Sequence, residues 1–167
     1  MSKSQLKNLR LDSLYDSQEI AQVWKNNQNQ PLIQHPQKGW ITPHQYRSLY
    51  AGKPCPYCGK KMVHGQEKYS TISKQVARKR GYEYKNKQGK LTFNRIGNIY
   101  FHPNYITIDH KMNKARFPDL MFDFNNLEAI CWSCNNEKTD NNAFELEHNL
   151  DYFETLYKVV NQRYKKL

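Results

Sequence analysis

Hydrophobic and polar residues alternate along this chain in short blocks, and the first part of the pattern favours helices. One helix is predicted near Ser17 to Trp24 and a second over Pro43 to Tyr50. Thr42 is a candidate N-cap before a proline at the first helical position, and Gly52 supplies a stop. Residues 1–52 are therefore predicted to form an N-terminal accessory segment.

The middle of the chain favours short strands. β-like patterns occur at Lys90 to Phe93 and at Asn98 to Phe101, between glycine turns. The compact apolar run Tyr105 to Ile108 predicts a strand that ends at Asp109 and His110. After a long loop, Leu127 to Ile130 predicts another strand, which ends at Cys131.

A short helix is predicted just after Cys134, so the order in this region is strand, loop, strand, helix. A longer amphipathic helix is predicted within residues 142–167, with apolar side chains at helical spacing. They are Phe153, Leu156, Tyr157 and Val160. This stripe is interpreted as core or as a dimer contact. The pattern as a whole predicts an α+β fold with helical segments at both ends.

Length and charge narrow the possible functions. The 167 residues suit one domain and exclude a large multidomain machine. Lys and Arg number 26 against 15 Asp and Glu, for a net charge of +11, which favours a polyanionic partner, nucleic acid first. The run from Lys60 to Arg95 carries eleven of these bases against only Glu67 and Glu83. No apolar run is long enough to span a membrane, so a soluble, non-secreted protein is expected.

The four cysteines occur only as Cys55-Pro-Tyr-Cys58 and Cys131-Trp-Ser-Cys134. Two such pairs can complete a tetrahedral thiolate shell around one structural zinc ion, with no open position for chemistry. A redox pair of thioredoxin type and two unrelated thiol pairs are the alternatives. A redox pair would place a single CxxC at the start of a helix after a buried strand, so the spacing favours shared zinc.

Asp109 and His110 combine an anionic metal ligand with an imidazole base, the pairing that phosphodiester hydrolysis needs. Adjacent side chains on a strand point to opposite faces, so they converge only if the chain turns there. Four elements surround or contain this dipeptide. They are the first CxxC, Ile108-Asp109-His110, Asn126-Leu127, and Cys131-x-x-Cys134-Asn135-Asn136-Glu137-Lys138.

This combination resembles the HNH nucleases, also called ββα-metal or His-Me finger nucleases, over residues 55–58 and roughly 105–140. Zinc-braced members, such as phage Holliday-junction resolvases and small restriction enzymes, are the most similar. The resemblance implies a small zinc-stabilised ββα-metal core within residues 53–141, with a basic insertion at residues 60–103.

The resemblance also implies a role for each matching residue. His110 would be the general base that activates water, while Asp109 and Asn135 would hold one catalytic Mg²⁺ or Mn²⁺ ion. Asn126 would tie the loop to the backbone near the base and keep the imidazole oriented. Cys55, Cys58, Cys131 and Cys134 would bind the structural zinc.

Several positions depart from the family pattern or leave a choice open. The third family position is often His but is Asn135 here, and an oxygen donor suits Mg²⁺ or Mn²⁺ better than Zn²⁺. Asn136 could take that role if the helix begins later. The loop after His110 lacks the common Pro and Gly-Gly. Asp119 and Asp123 are interpreted as solvated loop acids, and surface or packing roles are assigned to the other histidines, which are His35, His44, His64, His102 and His148.

The basic insertion is the predicted DNA-binding surface. Its cations are Lys74, Arg78, Lys79, Arg80, Lys85, Lys87, Lys90 and Arg95. They are interspersed with Tyr69, Tyr82, Tyr84 and Phe93, and cations among aromatics suit phosphate contacts with stacking or groove insertion. A solvated charged face is the alternative interpretation of such a run.

The leading hypothesis is a metal-dependent endonuclease that cuts double-stranded DNA, with a restriction, homing or junction-resolving role in the cytoplasm of a prokaryotic or phage-infected cell. The main alternative is a non-catalytic zinc-ribbon module that only binds nucleic acid. A toxin-like nonspecific nuclease is a third hypothesis, but no translocation or receptor segment is recognisable. Cutting both strands with one site per chain favours a homodimer.

Overall fold

The computed structural model describes residues 16–138 and 157–160. The predicted C-terminal stripe is described only at residues 157–160, which are helical and exposed, so Phe153 and Leu156 lie outside the described residues. Within the described part, no helix has the length and apolar character needed to cross a membrane.

The described chain is an α+β fold of short elements. The helices are α1 (Ser17–Asn26), α2 (Pro43–Tyr50), α3 (Gln66–Tyr69), α4 (Lys74–Lys79) and α5 (Trp132–Lys138). The strands are β1 (Ile33–His35), β2 (Gly39–Ile41), β3 (Ser70–Thr71), β4 (Tyr84–Lys85), β5 (Leu91–Thr92), β6 (Asn94–Ile96), β7 (Ile99–Phe101), β8 (Ile106–His110) and β9 (Leu127–Cys131).

Helices α1 and α2 confirm the two helices predicted near the N-terminus, and both begin at a capping side chain. Asp16 accepts hydrogen bonds from the first-turn amides of Gln18 and Glu19, which have no partner inside the helix. Thr42 and Gln45 form a reciprocal capping box around Pro43, which needs no amide hydrogen there.

Strands β8 and β9 form an antiparallel hairpin followed directly by α5, which confirms the predicted strand, loop, strand, helix order. The ladder pairs Ile106 with Cys131 at one end and His110 with Leu127 at the other. Strand β8 therefore continues regularly through Asp109, and the chain turns only after His110.

One hydrophobic core unites this hairpin with the N-terminal segment. Ile33 of β1, Ile41 of β2 and Tyr46 of α2 are buried in the same cluster as Ile106 and Ile130 of the hairpin. Burial of such side chains contributes roughly 1.5 to 3 kcal/mol each. The N-terminal segment and the hairpin thus share one hydrophobic core.

The basic insertion forms two small sheets of its own. Strands β3, β7 and β6 make one antiparallel sheet, and β4 pairs with β5 in a separate hairpin. Asn94 at the start of β6 is almost fully buried; its side-chain oxygen accepts hydrogen bonds from Tyr84 of β4 at 2.7 Å and from Asn136 of α5 at 2.8 Å. This polar contact fixes the insertion to α5, which together with β8 and β9 forms the ββα unit of the fold.

Candidate active site and cysteine metal centre

The four cysteine sulfurs come together at the junction of hairpin and helix. All four lie within 4.8 Å of one another, and the sulfurs of Cys58 and Cys131 are 3.7 Å apart. Two sulfurs bound to one tetrahedral zinc at about 2.3 Å each would be separated by about 3.8 Å. The cluster therefore fits one tetrahedral ion, and thiolate donors suit zinc. The alternative of two unrelated thiol pairs is wrong.

The local backbone of the first CxxC favours the thiolate form of Cys55. The amide of Cys55 donates to the carbonyl of Lys60, and Gly59 reverses the chain with a φ of +71°. Burial opposes ionisation of Cys55, but backbone amides of Cys131, Cys58 and Tyr57 donate to its sulfur and lower its pKa to about 7. This sulfur is thus disposed to bind metal as a thiolate.

The second CxxC lies where β9 passes into α5. Burial raises the pKa of the Cys134 thiol, and its neighbours Cys131 and Cys58 raise it further. Several thiolates this close repel each other unless a cation lies between them. The cluster is therefore suited to a metal centre in which all four sulfurs are ligands.

His110 is held at the end of β8 with one ring nitrogen fixed. Its Nε2 lies 3.0 Å from the carbonyl oxygen of Met121, and a carbonyl can only accept a hydrogen bond. Nε2 must therefore carry the proton, which leaves the lone pair of a neutral imidazole on Nδ1. That is the tautomer that a general base needs.

The environment of His110 keeps the imidazole neutral. Burial, and after it the charge of Lys114, lower its pKa to about 3 against the opposing effect of the hydrogen bond to Met121. The ring of Trp24, from α1, contacts the imidazole edge to face, with centroids 4.7 Å apart and planes at 79°. Trp24 in turn stacks on Phe122.

Asn126 organises the loop that carries Met121. Its side-chain oxygen accepts from the amide of Met112 at 2.7 Å, and its amide group donates to the carbonyls of Met112 and Leu120. Leu120 immediately precedes Met121. Asn126 therefore connects the start of the loop, at Met112, with the segment whose carbonyl contacts the imidazole.

Asp109 points to the other side of the hairpin, toward α5. Its carboxylate forms an ion pair with Lys138, the last residue of α5. Burial opposes the charge of Lys138, but the bond to Asp109 raises the lysine pKa overall. Asp109 is therefore an anion with a cation already beside it, and a metal ion at this carboxylate would have to displace or share the place of Lys138.

The structure distinguishes between Asn135 and Asn136. The Thr107 hydroxyl donates to the carbonyl of Ile130, so it accepts from the Asn135 amide group at 3.0 Å, which leaves the Asn135 side-chain oxygen available as a ligand. Thr107 and Asp109 share one face of β8. Asn136 instead donates to Asn94 of the insertion. Asn135 therefore lies beside the face of β8 that carries Asp109, and Asn136 faces the insertion.

Three residues at this site escaped the sequence interpretation: Trp24, Lys114 and Lys138. Burial lowers the pKa of Lys114, and the Asp109 carboxylate counteracts part of that shift, while Lys114 also acts on His110. Lys114 thus links the base and the acidic ligand electrostatically. The position of Lys138 one turn after Asn135 could have suggested a shared helix face, but no pattern in the sequence indicates Trp24.

The predicted DNA-binding cations fall into two groups. Some make contacts within the protein: Arg78 pairs with Glu83 at 3.1 Å, Arg80 donates to the carbonyl of Ser70, Lys87 donates to the carbonyl of Glu137, and Lys74 and Arg78 lie over the ring of Phe93. Others are exposed, with no hydrogen bond or ion pair from their side chains within the described residues. They are Lys79, Lys85, Lys90 and Arg95.

The remaining candidates have ordinary structural contacts. Asp123 caps the short turn Phe124–Asn126 by accepting from the amide of Asn125. His35 packs edge to face on Phe124, and His64 packs against His44. Asp119 lies in the turn Pro118–Leu120. None of these residues contacts Asp109 or His110 within the described part of the chain.

A comparison with protein families bears on the whole arrangement. Residues 94–141 match the family model described as HNH endonuclease. The HNH match spans β6 to α5, including both hairpin strands, His110 and the second CxxC, and it suggests nuclease activity in general. It covers less than half of the chain. No curated protein and no solved structure matches the chain.

The cysteine cluster leads to a prediction about zinc. The purified protein should contain about one zinc ion per chain, and replacing both Cys55 and Cys58 with Ser should abolish it, because two thiolates cannot retain the ion. Stability should fall by several kcal/mol, which is roughly 10 °C or more in melting temperature. Elemental analysis and thermal unfolding provide the measurements.

Tyr57→Phe is the matched control for zinc, because it changes the same knuckle without removing a sulfur. It loses only the hydroxyl that donates to Glu128 at 3.0 Å, so zinc content should remain near that of the wild type. Folded protein with no zinc, or a Cys double variant that retains it, would refute the metal centre.

Burial of His110 predicts a pH-dependent stability. The folded pKa of about 3 lies below the unfolded value of about 6.5, so between these values the unfolded chain binds a proton that the folded chain excludes. Stability contributed by the neutral ring is present above pH 6.5 and is lost as pH falls toward 3. Between pH 7 and pH 5 the wild type should lose roughly 2 kcal/mol more than His110→Gln.

Urea unfolding of both proteins at the two pH values measures this difference. Other titrating groups are shared, so their contributions cancel in the comparison. Equal losses for wild type and His110→Gln would show that the imidazole titrates in the same way in both states.

Proposed function

We propose that this protein is a metal-dependent DNA endonuclease that hydrolyses phosphodiester bonds with His110 as the general base. The observation that carries this proposal is the fixed imidazole. Nε2 donates to Met121, and Nδ1 is left as the basic nitrogen, in a domain that matches HNH endonucleases. A module that only binds nucleic acid has no need for a buried, oriented imidazole of this kind.

His110 would take a proton from the attacking water through Nδ1. Because the Met121 carbonyl and the loop tied by Asn126 hold Nε2, Nδ1 is the nitrogen left to take the proton. Lys114 contributes a positive charge next to the base that suits a phosphate group.

Asp109 and the side-chain oxygen of Asn135 are the residues that would hold the catalytic ion. A carboxylate and an amide oxygen are hard donors that suit Mg²⁺ or Mn²⁺. When bound, such an ion supplies a positive charge that neutralises the phosphate and the leaving oxygen. An ion bound there would displace Lys138 from Asp109 or share the carboxylate with it.

DNA would approach over the basic insertion. The exposed cations Lys79, Lys85, Lys90 and Arg95 can contact phosphates without first breaking an internal ion pair. The contact between Asn94 and Asn136 fixes this surface to α5, so a bound backbone would have a defined position relative to the site. Double-stranded DNA, a homodimer and a restriction, homing or junction-resolving role in a prokaryotic or phage setting complete the proposal.

A non-catalytic zinc-ribbon protein that binds nucleic acid is the second candidate. The cysteine cluster and the basic insertion would serve such a protein equally well. Cleavage, and its dependence on His110, distinguishes the two.

Incubation of the protein with supercoiled plasmid in Mg²⁺ or Mn²⁺ should produce nicked or linear DNA. His110→Ala should lower the rate by about 10²- to 10⁴-fold, the usual contribution of a positioned base. Asp109→Asn should weaken metal binding and so raise the metal concentration that cleavage requires. His44→Ala is the matched control, because this imidazole is exposed on α2 and should leave cleavage unchanged.

Zinc content and melting temperature should be measured for each variant, so that a loss of cleavage is separated from a loss of fold. Intact plasmid under every metal, or equal cutting by His110→Ala, would overturn the assignment. DNA binding without cleavage would favour the zinc-ribbon alternative.

The insertion generates a prediction about salt. Replacing Lys79 with Ala should weaken binding to duplexes of any sequence and reduce the dependence of log affinity on log salt concentration by about 1, because one phosphate contact is lost. Lys38→Ala, an equally exposed cation in the turn between β1 and β2, is the control and should leave the slope unchanged. Equal slopes for the two variants would exclude the insertion as the DNA surface.

A further inference from the structure

Helix α1 lies outside the HNH match, yet it reaches the catalytic candidate directly. Trp24, in its last turn, contacts His110 edge to face at 4.7 Å between ring centroids and stacks on Phe122 at 5.4 Å. No residue of α1 is fully buried, and Trp24 packs partly buried against the edge of the core. Its most specific contact is the one with the imidazole.

A second set of contacts fixes α1 in this position. Gln28, just after the helix, donates to the carbonyl of Trp24 at 2.6 Å and accepts from the Arg47 guanidinium at 2.6 Å. The carbonyl of Gln28 also accepts from the amide of His44. Arg47 and His44 belong to α2, which packs against β8. Trp24 is therefore anchored through α2 to the strand that carries His110.

The geometry of the imidazole requires a second support. The hydrogen bond from Nε2 to Met121 fixes one atom of the ring, but Nε2 lies close to the axis of the Cβ–Cγ bond, so the ring plane can still turn about that bond. A large indole against the same ring, at 79° to its plane, blocks this rotation. Together the two contacts determine where the Nδ1 lone pair points.

We propose that Trp24 is a positioning residue for His110, so that the N-terminal helix is an integral part of the active site. The inference rests on the proposed function, in which His110 is the base. A positioning role acts on the chemical step more than on substrate affinity, because an imidazole that swings out of line still leaves the DNA-binding surface intact.

Single-turnover cleavage by Trp24→Ala, Trp24→Phe and Trp40→Ala tests the proposal. Trp24→Ala should lower the maximal cleavage rate by about 10- to 100-fold while the DNA concentration for half-maximal rate changes by no more than about twofold. Trp24→Phe should recover most of the rate, because a smaller aromatic ring can still contact both neighbours. Trp40 is 63% exposed on β2, so its loss should leave both quantities unchanged.

A readout independent of cleavage is the NMR spectrum of the zinc-loaded full chain with labelled histidine. In the wild type, the carbon-bound protons of His110 should show a ring-current shift from the indole, and the Nε2 proton should be observable. Trp24→Ala should abolish the shift and broaden the Nε2 signal, whereas Trp40→Ala should preserve both. Gln28→Ala, which removes the link to Arg47, should produce a smaller change in the same direction.

The two readouts separate failure of this inference from failure of the proposed function. If the wild type cuts DNA and Trp24→Ala cuts equally fast, or if both His110 signals persist in Trp24→Ala, the positioning role is refuted. The same holds if Trp24→Phe is as slow as Trp24→Ala at an unchanged melting temperature. If the wild type does not cut DNA while the His110 signals respond as expected, the contact stands but the catalytic role fails.

Discussion

The convergence of four sulfurs is the constraint on which the ββα unit depends. Cys131 is the last residue of β9 and Cys134 lies in the first turn of α5, so their shared site sets the angle at which the helix leaves the hairpin. The first CxxC contributes the opposite half from a loop 73 residues earlier. Four thiols this close repel each other as thiolates and make poor hydrogen bonds as neutral groups, and a cation relieves both problems. The helix direction, and with it the position of Asn135, therefore depends on this centre.

The loop between β8 and β9 provides the second constraint. It has little regular structure, yet Asn126 gathers it with three hydrogen bonds from a side chain that is almost fully buried. A buried amide with satisfied donors and acceptors gives a loop one conformation, because every alternative leaves polar atoms without partners. The carbonyl of Met121 belongs to this loop, so its position is fixed, and its hydrogen bond restrains the imidazole of His110.

Much of this arrangement could be predicted from sequence because it is encoded locally. The capping box at Thr42 marked α2, the apolar runs before Asp109 and Cys131 marked the hairpin, and the two CxxC motifs indicated one metal centre. Strands β5 and β7 fall within the predicted β-like stretches, but β3 and β6 lie outside them and are too short to show a period of two. The contact of Trp24 with His110 joins residues far apart in the chain, and only tertiary packing brings them together.

Strand β8 runs regularly through Asp109, and this places Asp109 and His110 in different surroundings. Because neighbouring side chains on a strand leave on opposite faces, His110 faces the Met121 loop and Trp24, whereas Asp109 faces α5 and Lys138. Burial beside the aromatic rings keeps the base neutral and the Met121 carbonyl orients it, whereas the carboxylate of Asp109 is paired with the Lys138 cation. Lys114 lies close enough to act on both groups. Side chains on opposite faces of a strand do not converge by themselves, so the proposed hydrolysis requires a phosphate that lies near Lys114, at the end of β8, and reaches both groups.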